Sequence, residues 1–453
     1  MECPPRHPVE EEVLKVVRPT GFQLRTLNRV YGLIRSALDR ALSSRGLSYV
    51  IEAEGSYAKG TLLSDRWEMD VFVLFKDVDD KWLLERSLDL IEGALSGLPT
   101  VRKYSEHPYV TVSLMGVEVD VVPAVYSESP RLSLGVGRTP FHTRYVRSRL
   151  SGCQADDVRL LKSFLKGIGA YGAEVQVGGF SGYMAELLVL TYGSFRGAVE
   201  ALSRWRPPVY VDPEGRGSRQ ELEGRYPDSP VIFVDPVDPG RNAAAAVTYE
   251  KLSLAVMAAK LYLRAPSRYF FHPFSGRVEL KVKPPLVLAV CRGDYYQQPP
   301  ESVWGKAARL SRELRNELEG AGFTPLKAGY YTDEGYLAAV GVTLASGRLP
   351  GLEVLEGPDA WADVENVRAF VRRRVEEGGL WVGDRLYGFR PWRRPEALQV
   401  VRSWLSRRGG ELGRSCEAFL VEGNGGLPGE LPRPVRDWAW REFYTVPSWL
   451  VGP

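Results

Sequence analysis

Residues 54–75 read EGSYAKGTLLSDRWEMDVFVLF, and two features of this stretch decide the architecture. An apolar run, SYVIEA (48–53), ends in Glu54-Gly55-Ser56, and a second, MDVFVLF (69–75), follows Glu68 directly, so that a Glu-x-Asp pair stands at its mouth. Side chains two apart on an extended strand project from the same face, so Glu68 and Asp70 point together if the strand begins at Glu68. Two like charges that close repel unless a cation or proton sits between them. A solvated strand edge carries the same spacing, yet Val71 to Phe75 are apolar throughout, as in a buried strand.

A third carboxylate, Asp120, emerges from the alternating stretch VEVDVVPAV (117–125). Read alone it is the polar face of an amphipathic strand. With the first pair it completes an oxygen-rich site suited to Mg²⁺, and phosphoryl-transfer enzymes hold two such ions about 3.5–4 Å apart. Gly55 lets the backbone approach a ligand, and Ser56 offers a hydroxyl to phosphate oxygens.

Outward from this core, residues 10–46 have helical spacing broken near Pro19, with Leu27, Val30, Ile34 and Leu38 on one face. A helix at DKWLLERSLDLIEGALSGL (80–98) and the alternating stretch YVTVSLMGVEVDVVPAV (109–125) complete a small mixed sheet with helices. From 156 the pattern turns helical, in DDVRLLKSFLKGIGAYG and GFSGYMAELLVLTYGSF. The run VIFVDPVDPGRNAAAAV (231–247) reads as a strand ending in a turn that opens a helix. Beyond 284, strands and helices alternate as in a ferredoxin-like or RNA-recognition sandwich, without the aromatic signature of base stacking on its sheet. The expected class is α+β, in three parts: a catalytic head (1–150), a mainly helical centre (151–270) and an RRM-like body and tail (271–453).

The 453-residue chain has net charge +3, so any basic surface is local. Residues 366–414 hold twelve arginines (368, 372, 373, 374, 385, 390, 393, 394, 402, 407, 408, 414) against five acids, with Trp381, Trp392 and Trp404 interleaved. That tract suits an RNA backbone and stacking on an exposed end, though solvated helices with Trp cores look the same in sequence. The four cysteines, Cys3, Cys153, Cys291 and Cys416, are far apart and read as unpaired in a reducing, cytoplasmic compartment. No run is long and apolar enough for a membrane span.

The motif GSYAKGTLLSDRWEMDVFVLF with VEVDVVPA resembles the polymerase-β-type nucleotidyltransferase signature. RTPFHTRYV, DVRLLKSFLKGIGAYGAE, GFSGYMAELLVLTYGSF and VDPVDPGRN, in this order, resemble the archaeal-type, class I CCA-adding enzymes across residues 50–250. The resemblance implies template-independent building and repair of the 3′-terminal CCA of tRNA from CTP and ATP, with Mg²⁺ as cofactor. It implies tRNA, through its acceptor arm and 3′ end, as partner, and permits a homodimer. By position, Glu68, Asp70 and Asp120 match the metal-binding carboxylates, with Asp120 also the base for the tRNA 3′-hydroxyl. Ser56 and Lys59 match phosphate-holding residues, and His142, Lys162 and Tyr171 match further nucleotide contacts. Arg241 matches the arginine that helps choose cytosine or adenine over guanine and uracil.

The chain departs from the family at Lys59, where Arg is common, exchanging a bidentate fork for a point charge. A second departure is Thr143, where relatives often carry a histidine beside His142. Read without the family, His142 sits in a loop, Lys162 and Lys166 lie on a solvated helix face, Tyr171 is packing, and Arg241 forms an ion pair with Asp235 or Asp238. A poly(A)-type polymerase, a small-molecule nucleotidyltransferase and a catalytically silent RNA-binding protein are the competing functions.

Overall fold

A computed structural model of the chain describes residues 5–104, 108–130, 135–392, 396–422 and 426–451. They form two compact units, one of residues 1–276 and 447–453, the other of 277–446.

The first unit opens with helices α1 (Pro8–Val17) and α2 (Gly21–Ser43). Arg18, forced extended by the following Pro19, ends α1, and the Thr20 hydroxyl caps α2 by accepting from Gln23 N–H. Strand β1 (Tyr49–Glu54), the single helical turn α3 (Gly55–Ala58), β2 (Glu68–Phe75), α4 (Asp80–Ala94), β3 (Thr100–Tyr104), β4 (Pro108–Leu114) and β5 (Val117–Val125) follow. The sheet order is β1-β2-β5-β4-β3, with β2 and β5 parallel and the other neighbours antiparallel. Strand β3 carries no clear pattern in the sequence. The alternating stretch 109–125 is two strands, folded back at Met115-Gly116, both with left-handed φ (55° and 77°).

One sheet face buries Met69, Val71, Val73 and Phe75 against Leu27, Val30, Ile34 and Leu38 of α2. Each fully buried aliphatic side chain there contributes about 2 kcal/mol. The other face buries Phe72 and Leu74 beside Val122 and Ala124, so β2 is covered on both sides beyond Asp70.

A second core, containing Val13, Leu14 and Val17 of α1, is built by α6 (Gly152–Gly167), α7 (Gly182–Tyr192), α8 (Phe195–Arg204) and α10 (Tyr249–Arg264) around Phe164, Phe195, Tyr262, Phe270 and Phe271. Helix α5 (Thr139–Arg149) precedes it, and the short β6 (Val209–Val211), α9 (Arg219–Arg225) and β7 (Val231–Phe233) interrupt it. Helix α10 starts only at Tyr249, capped by Thr248, because the alanine run 243–246 is spent in turns.

The second unit contains a short strand β8 (Arg277–Glu279), then β9 (Leu286–Arg292), α11 (Pro300–Gly320), β10 (Pro325–Thr332) and β11 (Leu337–Leu344). An inserted β12 (Leu352–Asp359), α12 (Val364–Glu377), β13 (Gly379–Val382) and β14 (Arg385–Pro391) come next, then α13 (Ala397–Leu412), β15 (Ser415–Val421) and α14 (Arg433–Phe443). The main sheet runs β10-β11-β9-β15, antiparallel throughout, and the insertion forms its own sheet, β12-β14-β13. Helices α11 and α13 cover one face of the main sheet and α14 the other.

Cys291 and Cys416 face each other in the β9/β15 register and are joined by a disulfide. This corrects the expectation of unpaired cysteines and removes their support for a reducing compartment. Their separation of 125 residues carries no signal in the sequence; the sheet register brings them together. Among the described residues no helix is long and apolar enough to cross a membrane.

Candidate active site

The parallel register of β2 and β5 sets Asp70 beside Asp120 and Glu68 beside Glu118. Burial, then the neighbouring Asp120 and Glu68, push the Asp70 carboxyl up to about 6, against the weaker pull of Lys59. Asp120 is oriented from the adjacent strand: Thr111 Oγ1 donates to its Oδ1 at 2.6 Å. Glu68 is exposed and turned toward Arg66, whose Nη1 donates to both its oxygens at 3.1 and 3.2 Å. Asp70 and Asp120 are therefore brought together, Glu68 stands at the rim, and among the described residues no three acidic, His or Cys side chains converge into a finished metal cage.

Gly55 packs directly on Asp70. It has φ +66°, and a Cβ built on it would fall on Asp70 Oδ2, so both conformation and space demand glycine. Two register-paired carboxylates that offer only oxygen donors and, among the described residues, form no salt bridge fit a hard divalent cation. Ser56 lies half-buried within α3, next to Gly55.

Lys59 and Lys162 meet at a residue the sequence reading passed over. Glu186 Oε2 accepts from Lys59 Nζ at 2.9 Å, while its Oε1 accepts from Lys162 Nζ at 2.9 Å and from Thr61 Oγ1 at 2.6 Å. Glu186 is 1% exposed and Lys162 2%, so Lys162 is not on a solvated face. Burial alone would raise the Glu186 carboxyl, but Lys162 and Lys59 outweigh it and bring it down to about 2. The signal was present: Glu186 is the only charge in YMAELLVL, and a charge inside an apolar helix needs a partner. Lys166, on the same helix as Lys162, pairs with Asp65 at the rim. Tyr171 is partly buried, and its hydroxyl and the Lys162 side chain both lie against Gly182, where a Cβ would stand 3.0 Å from the hydroxyl.

His142 lies in α5, not in a loop, and Pro140 in the first turn of that helix is the start signal. Its Nε2 lies 3.0 Å from Asp235 Oδ2, which also accepts from Arg241 Nη1 at 3.0 Å. Asp235 Oδ1 accepts from the Tyr183 hydroxyl at 3.0 Å and from Val237 N–H at 2.9 Å. Asp235 is fully buried, and despite that burial its donors, His142 foremost, hold its carboxyl at about 2. Burial pushes the His142 imidazole down, and because a carboxylate only accepts, Nε2 is the donor to Asp235. Asp238 pairs with Arg138 at 3.4 Å instead of with Arg241.

In the second unit the arginine tract is mostly neutralised. Arg385 pairs with Glu356, Arg390 with Glu353, Arg407 with Glu317, Arg408 with Glu411 and Arg414 with Asp294. Arg368 pairs with Glu365, and Arg373 and the buried Arg374 pair with Glu377. Among the described residues only Arg372 and Arg402 of the tract lack an acidic partner; Arg393 and Arg394 lie outside them. Trp404 is a core residue at 2% exposure and cannot stack on RNA, whereas Trp381 is 70% exposed. Trp392 is half-buried against Gly322.

Comparison with known proteins agrees with this geometry. Residues 35–150 match a model described as nucleotidyltransferase domain, and residues 156–272 one described as tRNA nucleotidyltransferase, second domain. The CCA-adding enzyme of Aeropyrum pernix is 46% identical over 87% of this chain and 86% of its own. Those of Saccharolobus shibatae and Sulfurisphaera tokodaii are 37% and 36% identical, covering 87% and 88% of this chain and 91% and 92% of theirs. With relatives this similar over nearly their whole length, the chain belongs to the family of CCA-adding enzymes.

Proposed function

We propose that the chain builds and repairs the 3′-terminal CCA of tRNA from CTP and ATP, without a nucleic-acid template. The carrying observation is the Asp70–Asp120 pair, without a salt bridge among the described residues, with Gly55 packed on Asp70 and Lys59 within electrostatic reach. Asp70 and Asp120, joined by Glu68 once it releases Arg66, would hold divalent cations, with Mg²⁺ favoured by the all-oxygen donor set. When bound, such ions supply Lewis-acid activation of a hydroxyl and neutralise phosphate charge.

Asp120, held by Thr111, takes the proton of the tRNA 3′-hydroxyl as that oxygen attacks the α-phosphate in line and pyrophosphate leaves. Lys59 and Ser56 bind the triphosphate, with Lys162 and Tyr171 behind them and His142 alongside. Arg241, the most exposed member of the Asp235 cluster at 37%, reads the base. A guanidinium only donates, so at the Watson–Crick ring nitrogen it suits the acceptors cytosine N3 and adenine N1 and opposes the N–H that uracil N3 and guanine N1 carry.

The β9-α11-β10-β11-α13-β15 succession and its strand order support a ferredoxin-like, RNA-recognition-type body. We assign tRNA contacts to it, beginning with Arg372 and Arg402, and retain the three-part division into head, centre and body. A tRNA substrate implies action in the cytoplasm.

The test is incorporation of labelled CTP and ATP, with Mg²⁺, into tRNA transcripts ending before CCA, after the first C and after the second. Products that end in CCA and stop support the reading. Homopolymer tails would identify a poly(A)-type polymerase, and no incorporation a silent RNA binder.

A further inference from the structure

Tyr183 has no part in the chemistry above, yet it touches both ends of the nucleotide site. Its ring is stacked on the His142 imidazole, with centroids 4.0 Å apart and planes at 22°. The Lys59 ammonium stands 5.3 Å from the same ring centroid, within reach of a cation–π contact. Its hydroxyl donates to Asp235 Oδ1 at 3.0 Å, while the other oxygen of that carboxylate takes Arg241. On α7, Tyr183 precedes Glu186 by one helical turn, so one rigid face carries both the Lys59 anchor and the Asp235 donor.

The Asp235 carboxylate has four donors and no freedom to turn. Without the tyrosine hydroxyl, Oδ1 keeps only the Val237 N–H, and a buried carboxylate that has lost one of its donors turns to replace it, carrying Arg241 with it. We propose that Tyr183 is a specificity-determining positioning residue: its hydroxyl fixes the carboxylate that aims Arg241, and its ring links that setting to Lys59 at the triphosphate end. A base that Arg241 does not match is then held with its phosphates out of register, so selection acts on turnover as well as on binding. This deepens the nucleotide-site reading of the preceding section and rests on it.

Tyr183→Phe removes one oxygen and keeps the ring. The ratio of kcat/KM for CTP over UTP, measured on tRNA lacking CCA, should fall about tenfold, with kcat/KM for CTP itself within about threefold of wild type. Asp235→Asn, which keeps the shape but weakens the hold on Arg241, should lower the same ratio. Tyr183→Leu, which also removes the ring, should additionally raise KM for every nucleotide. A role in folding alone would lower kcat/KM for all nucleotides equally, together with Tm. An unchanged CTP/UTP ratio in both Tyr183→Phe and Asp235→Asn overturns the proposal, as does a uniform loss. If the wild-type protein incorporates neither CTP nor ATP, the catalytic reading itself fails, and that result is distinct from either outcome for the variants.

Discussion

The carboxylates of the first unit fall into two kinds. Asp70 and Asp120 stand side by side with little to offset them, and Asp70 is pushed up to about 6. Glu186 and Asp235 are buried more completely, yet lysines, an arginine, an imidazole and hydroxyls hold both at about 2. Depth therefore does not separate a working acid from a structural one; the supply of donors does. A carboxylate left short of donors is where a cation belongs, and a saturated one fixes the groups that will meet the substrate.

The sharpest way to break this contrast is to neutralise the first kind. Asp120→Ala should abolish incorporation, by about 10³-fold or more in single turnover, while tRNA affinity measured by filter binding stays near wild type. Asp70→Asn should be equally inactive yet raise the Tm of the metal-free protein, because it removes a buried charge from beside another. Lowered Tm would place Asp70 among the saturated carboxylates.

Glu186→Gln tests the second kind. It leaves two lysines at one neutral amide and should cost about 3 to 5 kcal/mol in urea unfolding, with a higher KM for CTP. The pH dependence has a definite sign. The folded value of Glu186 is depressed to about 2 from 4.5, so its stabilisation is complete above about 4.5 and is lost as pH falls toward 2. Unfolding midpoints should decline across that window by an amount reflecting roughly 3 kcal/mol, and Glu186→Gln should flatten the decline. Thr111→Val should lower kcat about tenfold with KM for CTP unchanged, since Thr111 orients Asp120 and touches no nucleotide in this reading.

The smallest effect is expected in the second unit. Arg372→Gln with Arg402→Gln should reduce the slope of log Kd for tRNA against log salt by about 2, whereas Arg374→Gln should lower Tm and leave the slope alone.

Much of the first sheet could be read from the sequence because its signals are local. The apolar run of β2 and the alternation of β5 gave strand and face, and Pro19 marked the break between α1 and α2. The Asp70–Asp120 neighbourhood needed only the parallel pairing of two apolar strands. What escaped was set by tertiary contact. The lone charge in YMAELLVL says that Glu186 needs a partner, but nothing in spacing or composition says that the partners are lysines from α6 and from the loop after α3. Tyr183 looks like any helix aromatic until His142 is stacked on it. The pairing of the arginine tract was hidden for the same reason: its partners Glu317, Glu353, Glu356 and Asp294 come from outside the counted window.

The Cys291–Cys416 bridge joins the first and last strands of the main sheet in the second unit and encloses the inserted sheet between them. Most of that unit is thus a covalent ring. A protease that cuts once between 292 and 415 separates no fragment, and the nicked chain travels as one species on a gel until a reductant opens it. Damage to the insertion is in this way kept from becoming loss of a piece.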